Sequence, residues 1–435
     1  MTIPIITDLA VARAGILRRA FLDDDTATVT TVAEIITNVR QRGDAALREY
    51  THRFDGVDCE VIEIPRERLA AAAADIDQSL RQALLLAING IRRFHERQLR
   101  NSWVEFSVEG ALGQIVRPLD RVGIYVPGGA APLPSSLIHA AVPARVAGVR
   151  EIVVCSPPQR STGEPAMAVL AAAHLAGVDR FFAVGGAQAI AALAYGTESV
   201  PRVDAVAGPG NRYVIQAMRM VYGTVGVVSL PGPTETLVIA DQTANPRSVA
   251  ADLLAQAEHR EASAILLTPD WGLAEQVQRE VERQLAALPA VNAQAARDAV
   301  TRRGGIVMVP DLTTAFALAN EYGPEHLCLL IAEPWAYVGE VRNAGGVFLG
   351  EDSFEVLGDY VAGPSHIMPT EGTARYASPV NVDSFRKVIS LVGLNRAGVK
   401  RIGPAAIRIA EAEGLFAHAA AVRTRLESLD NDGRE

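Results

Sequence analysis

The first hundred residues carry their apolar positions at helical spacing. Ile35, Ile36, Val39, Ala46 and Leu47 mark such faces, since side chains three and four apart meet on one side of a helix. Residues 66–100 also read as helix, with a break near 75–77. From about Trp103 the period changes. Two extended segments (102–110 and 112–119) precede a buried strand, RVGIYV, that ends in a Pro-Gly-Gly turn. Strands and helices then alternate. EIVVCSPP, RFFAVGG and VDAVAGPGN read as strands, each followed by a helix, the first of which closes at Gly177 as a C-terminal cap. A second alternation runs through TLVIAD, a helix containing Gln256, SAILLTP, a long helix over 271–287, GIVMV, a helix near 312–321, HLCLLI and GGVFLG. Such alternation predicts an α/β fold of two doubly wound halves with parallel sheets. After about Val382 the chain reads as helix, able to pack on the body or reach a partner subunit.

Composition narrows the classes. At 435 residues the chain exceeds one core, since domains of roughly 100–200 residues are the norm. The net charge of −9 and the absence of a basic block argue against nucleic acid as partner, because neutralising phosphates takes clustered Lys and Arg. No apolar run approaches the roughly 20 residues that span a bilayer, and the N-terminus lacks a cleaved-signal layout. Cys59, Cys155 and Cys328 stand isolated, which suits reduced thiols and a cytoplasmic location. Cys155 and Cys328 read as buried strand residues.

Three glycine turns follow strands, at 126–129, 184–188 and 207–211. Glycine lets backbone N–H groups approach a pyrophosphate, and a helix start favours an anion. None completes G-x-G-x-x-G, and no Walker A lysine pattern is present. Each alone is as readily a tight turn of the sheet; three at strand ends point to a ligand crevice.

Four of the eight histidines fall in segments rich in oxygen and nitrogen donors. Gln256 and His259 lie three apart in a helical pattern, so both face one side. Glu325-His326, Asp359 with His366, and Glu413 with His418 follow. Zinc takes imidazole nitrogen and carboxylate or amide oxygen and leaves positions for substrate. Gln256, His259, Asp359 and His418 are candidates for such a shell. Each also has an ordinary reading: a helix histidine, a turn aspartate, a solvent-facing histidine, an exposed glutamine. Glu325 and His326 follow Gly323-Pro324, which suggests a helix start. There the histidine would move an alcohol proton and the glutamate would polarise a water; the alternative is a capping glutamate beside a core-edge histidine.

Taken in order, VGIYVPGGAAPLPSS, VGGAQAIAALAYGTESVP, GPGNRYV, GPTETLVIAD, DLLAQAEH, YGPEHL, GDYVAGPSH and EGLFAHAAAV resemble the histidinol dehydrogenase family, over essentially the whole chain. The resemblance implies two incomplete Rossmann-like domains with helical N-terminal and C-terminal extensions. It implies a zinc- and NAD-dependent homodimer with shared active sites and one zinc per subunit. The reaction would take L-histidinol through the aldehyde to L-histidine, the last step of histidine biosynthesis. Glu325 and His326 would be catalytic, and Gln256, His259, Asp359 and His418 the zinc ligands, with His418 reaching across from the partner. Tyr125, Gln188 and Asn211 would contact NAD. Thr234 and Glu413 would contact substrate, together with His326 and the four zinc ligands. The expected domains are an arm (1–22), a catalytic domain (23–119 plus 236–381), an NAD domain (120–235) and a dimerisation segment (382–435).

Three departures stand out. Thr234 replaces a common Ser and keeps the hydroxyl. His139 stands where an apolar residue is common. The turn Arg260-Glu261-Ala262 after His259 is one residue shorter. They leave room for an alternative, a related zinc and NAD enzyme acting on another small polar primary alcohol such as a sulfonated diol.

Overall fold

Two six-stranded sheets with the same internal strand order organise the larger part of the chain. The computed structural model describes residues 2–19, 25–128, 132–259 and 261–431. Part of the expected arm (Met1 and residues 20–22), Gly129 of the first glycine turn and Arg260 lie outside the described residues.

In the first sheet the spatial order is Ile5–Ile6, Gly305–Met308, Ser263–Thr268, Glu235–Ala240, His326–Leu330, Gly346–Leu349, with every pair parallel. In the second it is Glu63–Ile64, Arg180–Phe182, Glu151–Cys155, Arg121–Tyr125, Ala205–Ala207, Gly226–Val227, all parallel except the first pair. Numbering each sheet's own consecutive strands gives 3-2-1-4-5 twice. That is the doubly wound order without its sixth strand, as expected of two incomplete Rossmann-like units. Each sheet also takes one short edge strand from the N-terminal region.

The local reasons are ordinary. All six residues of Glu235–Ala240 are buried, as a parallel strand covered on both faces requires. Asn245 caps Pro246–Ala257, with proline in the first turn. Gly177 ends Met167–Ala176 in the left-handed conformation, φ 74°, as its sequence position predicted.

The grouping of residues 23–119 with the catalytic sheet needs correction. Thr26–Arg42 packs on Gly186–Tyr195 and Arg212–Val221, Arg66–Asp75 on Met167–Ala176, and Gln78–Glu96 on Pro134–Ala147. Val32, Ile35, Ile36 and Val39 share one core with Phe182, Ile190 and Met218. The N-terminal helices therefore cover the second sheet, because their apolar faces match its outer helices. Residues 2–19, with the strand Ile5–Ile6 and the short helix Leu9–Ala14, go to the first sheet.

Among the described residues, 99–118 and 386–431 form a separate compact unit. Its sheet is antiparallel, in the order Arg386–Leu394, Gly110–Pro118, Trp103–Ser107, with a nine-residue ladder from Arg386↔Pro118 to Leu394↔Gly110. Two helices, Arg396–Ala412 and Phe416–Asn431, pack on each other. The tail is thus a long strand before it is helical. Most residues of that strand are exposed, so no inward–outward alternation marked it in the sequence.

Candidate active site

Neighbouring strands of the first sheet bring the candidate residues together at their amino ends. Thr236 and His326 are paired in register, which places Thr234 beside Glu325. A helix following a parallel strand runs back toward the strand starts, so Gln256, near the end of Pro246–Ala257, arrives at the same edge. Asp359 comes from the short helix Glu355–Tyr360. Glu325 and His326 do not open a helix. Gly323 ends the preceding helix in the left-handed conformation, and His326 is the first residue of a fully buried strand.

A continuous network links these side chains. Glu235 donates its backbone N–H to Glu325 Oε2 (2.9 Å) and accepts at its carbonyl from His326 Nδ1 (3.0 Å). His326 Nε2 lies 3.0 Å from Asp359 Oδ1. Gln256 Nε2 donates to Asp359 Oδ2 (3.0 Å). The Thr234 hydroxyl lies 2.8 Å from Gln256 Oε1 and 2.6 Å from Glu325 Oε2. One hydroxyl proton serves one acceptor at a time, so the second contact is satisfied when Glu325 carries a proton.

Charge follows burial and pairing. Glu325 and His326 are almost fully buried. Burial pushes the Glu325 carboxyl up to about 7, against the pull of His326 and the Thr234 hydrogen bond. Burial opposes charge on His326, but Glu325 and Asp359 outweigh it and raise the imidazole. Burial also works against the Asp359 charge, yet the His326 hydrogen bond and charge hold its carboxyl below the usual range.

The donors expected for a metal are only partly assembled within this unit. Gln256 Oε1 and the anionic Asp359 carboxylate supply oxygen of the kind zinc accepts. His259 is not on the helix; the helix ends at Ala257, and His259 sits exposed on the following turn, its N–H bonded to the Gln256 carbonyl (3.1 Å). Further along that turn Glu261 has φ 66°, a backbone state that non-glycine residues rarely adopt. Glu413 and His418 belong to the other compact unit and are exposed. Among the described residues no three His, Cys, Asp or Glu side chains form a group ready to hold a metal. The chemistry of Gln256 and Asp359 is of the kind zinc accepts.

Sequence reasoning missed the Glu235 backbone, since an orienting main-chain group leaves no residue signature. It also gave no role to His139. That ring is buried and stacks on His366, 4.4 Å between centroids and 14° between planes. His366 Nδ1 donates to the Asp359 carbonyl (2.6 Å), so His139 packs behind the segment that carries Asp359.

The second sheet holds its candidates at the carboxyl edge. Tyr125 ends the central strand, and its hydroxyl accepts from the Gly186 N–H (3.3 Å). Gly186 has φ 64°, and a Cβ there would lie 2.5 Å from Gln188 Oε1; a Cβ at Gly208, φ 120°, would lie 2.1 Å from the Tyr125 carbonyl oxygen. Only glycine fits at either place. Gln188 is 1% exposed, and neither amide atom has a hydrogen-bond partner among the described residues. A buried amide left unpaired costs about 1–3 kcal/mol per group, which suits a group waiting for a ligand. Asn211 caps Arg212–Val221 by accepting from the N–H groups of Tyr213 and Val214.

The histidinol dehydrogenase family model matches residues 18–426. The chain belongs to the histidinol dehydrogenase family. It is 55% identical to the histidinol dehydrogenase of Deinococcus radiodurans over 396 residues, covering 91% of this chain and 90% of the relative. It is 50% identical to that of Thermus thermophilus, covering 95% and 98%. The crystal structure of histidinol dehydrogenase from Elizabethkingia anophelis superposes with a TM-score of 0.92 at 37% identity, covering 99% of each chain. Family membership and fold agree with the resemblance read from the motifs.

The two buried glutamines should respond oppositely to removal of the amide. Gln188→Leu is expected to leave the thermal midpoint unchanged or raised, whereas Gln256→Leu, which strips partners from Thr234 and Asp359, is expected to lower it. Equal losses in the two melting curves would mean that the Gln188 amide is already satisfied.

Proposed function

We propose that this chain oxidises L-histidinol to L-histidine in two successive steps through the aldehyde, the last step of histidine biosynthesis. Family membership supports the reaction class. The observation that carries the mechanism is the joining of Glu325 and His326, two residues suited to different proton transfers, on one Glu235 backbone unit. When bound, NAD supplies the hydride acceptor for each oxidation, and zinc anchors the substrate's amine and imidazole. Gln256, His259 and Asp359, with His418 of the partner subunit, would hold the metal; Tyr125, Gln188 and Asn211 would hold NAD on the second sheet. Thr234 and Glu413 would contact the substrate.

The protein groups divide the proton work. The bond from Nδ1 to the Glu235 carbonyl leaves Nε2 as the His326 atom that gains and releases a proton. In the alcohol step His326 acts as the neutral imidazole, its Nε2 released from the Asp359 contact, and takes the substrate O–H proton as the C–H electron pair departs as hydride to NAD. In the aldehyde step ionised Glu325 takes a proton from water while the water oxygen bonds to the carbonyl carbon. The carbonyl oxygen takes back the proton held on His326 Nε2; the resulting hydrate then gives the second hydride to NAD and one hydroxyl proton to Nε2, and the acid so formed releases its remaining proton to solvent and leaves as carboxylate. Burial of both groups excludes bulk water that would short-circuit these transfers.

The separate unit is proposed as the dimerisation segment. It exposes Trp103, Val104, Phe106, Val108, Leu112, Val388, Val392 and Phe416, apolar side chains that a second copy of the chain would cover. No helix among the described residues is long and apolar enough to cross a membrane. The three cysteines are free thiols, in keeping with a cytoplasmic enzyme.

Three experiments test this reading. With zinc-loaded protein, Glu325→Gln should spare the alcohol step and slow aldehyde oxidation by about 10²–10⁴-fold. In the unmodified chain the aldehyde rate should rise as pH increases through about 7, because only ionised Glu325 accepts a proton. Full-rate aldehyde oxidation by the glutamine variant would remove Glu325 from the mechanism. Sharing of sites is read by mixing Glu325→Gln with His418→Ala chains under subunit exchange. A mixed dimer should regain one intact site and so recover aldehyde oxidation that neither parent has; a mixture as slow in that step as its parents would place His418 in its own subunit's site.

A further inference from the structure

We propose that Arg19 is a positioning residue for both oxidations, acting from the N-terminal arm through Glu235 and the turn before Glu325. The inference rests on the roles assigned above to Glu325 and His326. The Arg19 side chain is 16% exposed and that of Glu235 6%. The guanidinium pairs with both carboxylate oxygens of Glu235, Nη1 with Oε1 and Nη2 with Oε2, the latter at 3.0 Å. Its Nε donates to the Tyr322 carbonyl (2.8 Å) and Nη2 to the Gly323 carbonyl (3.0 Å). Its plane lies over the Tyr322 ring, 3.4 Å from Cζ to the ring centroid.

These contacts grip the catalytic pair from two sides. Tyr322 and Gly323 close the helix Leu312–Tyr322, whose last carbonyls have no partner inside the helix. Arg19 supplies those partners, and its charge complements the helix C-terminus. Two residues on come Glu325 and His326, so the path of the chain into the strand is held at its start. On the other side Glu235 is the residue whose N–H and carbonyl orient Glu325 and His326. Its buried carboxylate is tolerated only when paired, and Arg19 pairs it, with the Glu371 N–H as a further donor to Oε1 (3.0 Å). One planar side chain thus ties together the two backbone segments on which the catalytic geometry stands. Lysine cannot reproduce this, since an ammonium lacks both the fork and the stacking plane.

The test compares zinc-loaded full-length protein with Arg19→Lys, Arg19→Met, Glu235→Gln and the Arg19→Met/Glu235→Gln double variant. Arg19→Met should lower kcat for both histidinol and histidinaldehyde by about 100-fold, the scale of loss from slight misplacement of reacting groups, with KM little changed. Arg19→Lys should recover part of that loss. The double variant should be no slower than the slower single variant, because both substitutions break one linkage. A role in stability alone would lower the melting temperature and leave kcat of the folded fraction intact. The Nδ1–H proton resonance of His326, moved downfield by its bond to the Glu235 carbonyl, gives a readout without turnover and should shift or broaden in Arg19→Met. Unchanged kcat and resonance in folded Arg19→Met or Arg19→Lys, or multiplied losses in the double variant, would overturn the proposal. If Arg19→Met does not fold, Arg19→Lys and Glu235→Gln carry the same decision. An unmodified chain inert toward histidinol would instead contradict the assigned reaction, and the resonance would still decide the role of Arg19.

Discussion

The proposed catalytic arrangement depends on the main chain of one residue. Glu235 opens the central strand of the first sheet, and its N–H and carbonyl point at Glu325 and His326 respectively. A strand buried on both faces cannot rotate these groups without breaking its ladders to both neighbours. The orientation of a carboxyl and of an imidazole is therefore set by a fully buried strand paired on both sides. Side-chain rotamers have only to fill in the remaining contacts, from Thr234, Gln256 and Asp359.

The two sheets share a strand order but use opposite edges. In the second, Tyr125, Gly186, Gln188 and Gly208 gather where strands end, the usual ligand edge of an open parallel sheet. In the first, Thr234, Glu325 and His326 gather where strands begin. Burial and pairing together explain the unequal ionisation: burial pushes Glu325 up to about 7, while the hydrogen bond and charge of His326 hold Asp359 below the ordinary carboxylate range against its own burial. Environments that drive two carboxyls apart are what acid–base chemistry near neutral pH requires.

Much of the fold was legible because strong local signals agreed with the tertiary structure. Strand–helix alternation, the cap at Gly177 and the break near 75–77 all reappear. The strand Arg386–Leu394 did not announce itself, since its exposed faces carry no period-two contrast. The N-terminal helices were placed on the wrong sheet because amphipathicity shows that a face is buried and not against what. In the site, the motif residues were nameable, but Glu325-His326 was misread as a helix start: proline after glycine opens strands as well as helices. Glu235 and Arg19 were invisible, one acting through its backbone and the other through contacts more than 200 residues away in sequence.

The central claim is that one buried network carries out two oxidations on the same substrate. Counting NADH formed per L-histidinol consumed, with excess NAD and zinc-loaded protein, tests it most directly. The account predicts two NADH with L-histidine as product, lost on chelation and restored by zinc. One NADH with the aldehyde accumulating, or no turnover of histidinol while another small alcohol is oxidised, would contradict it.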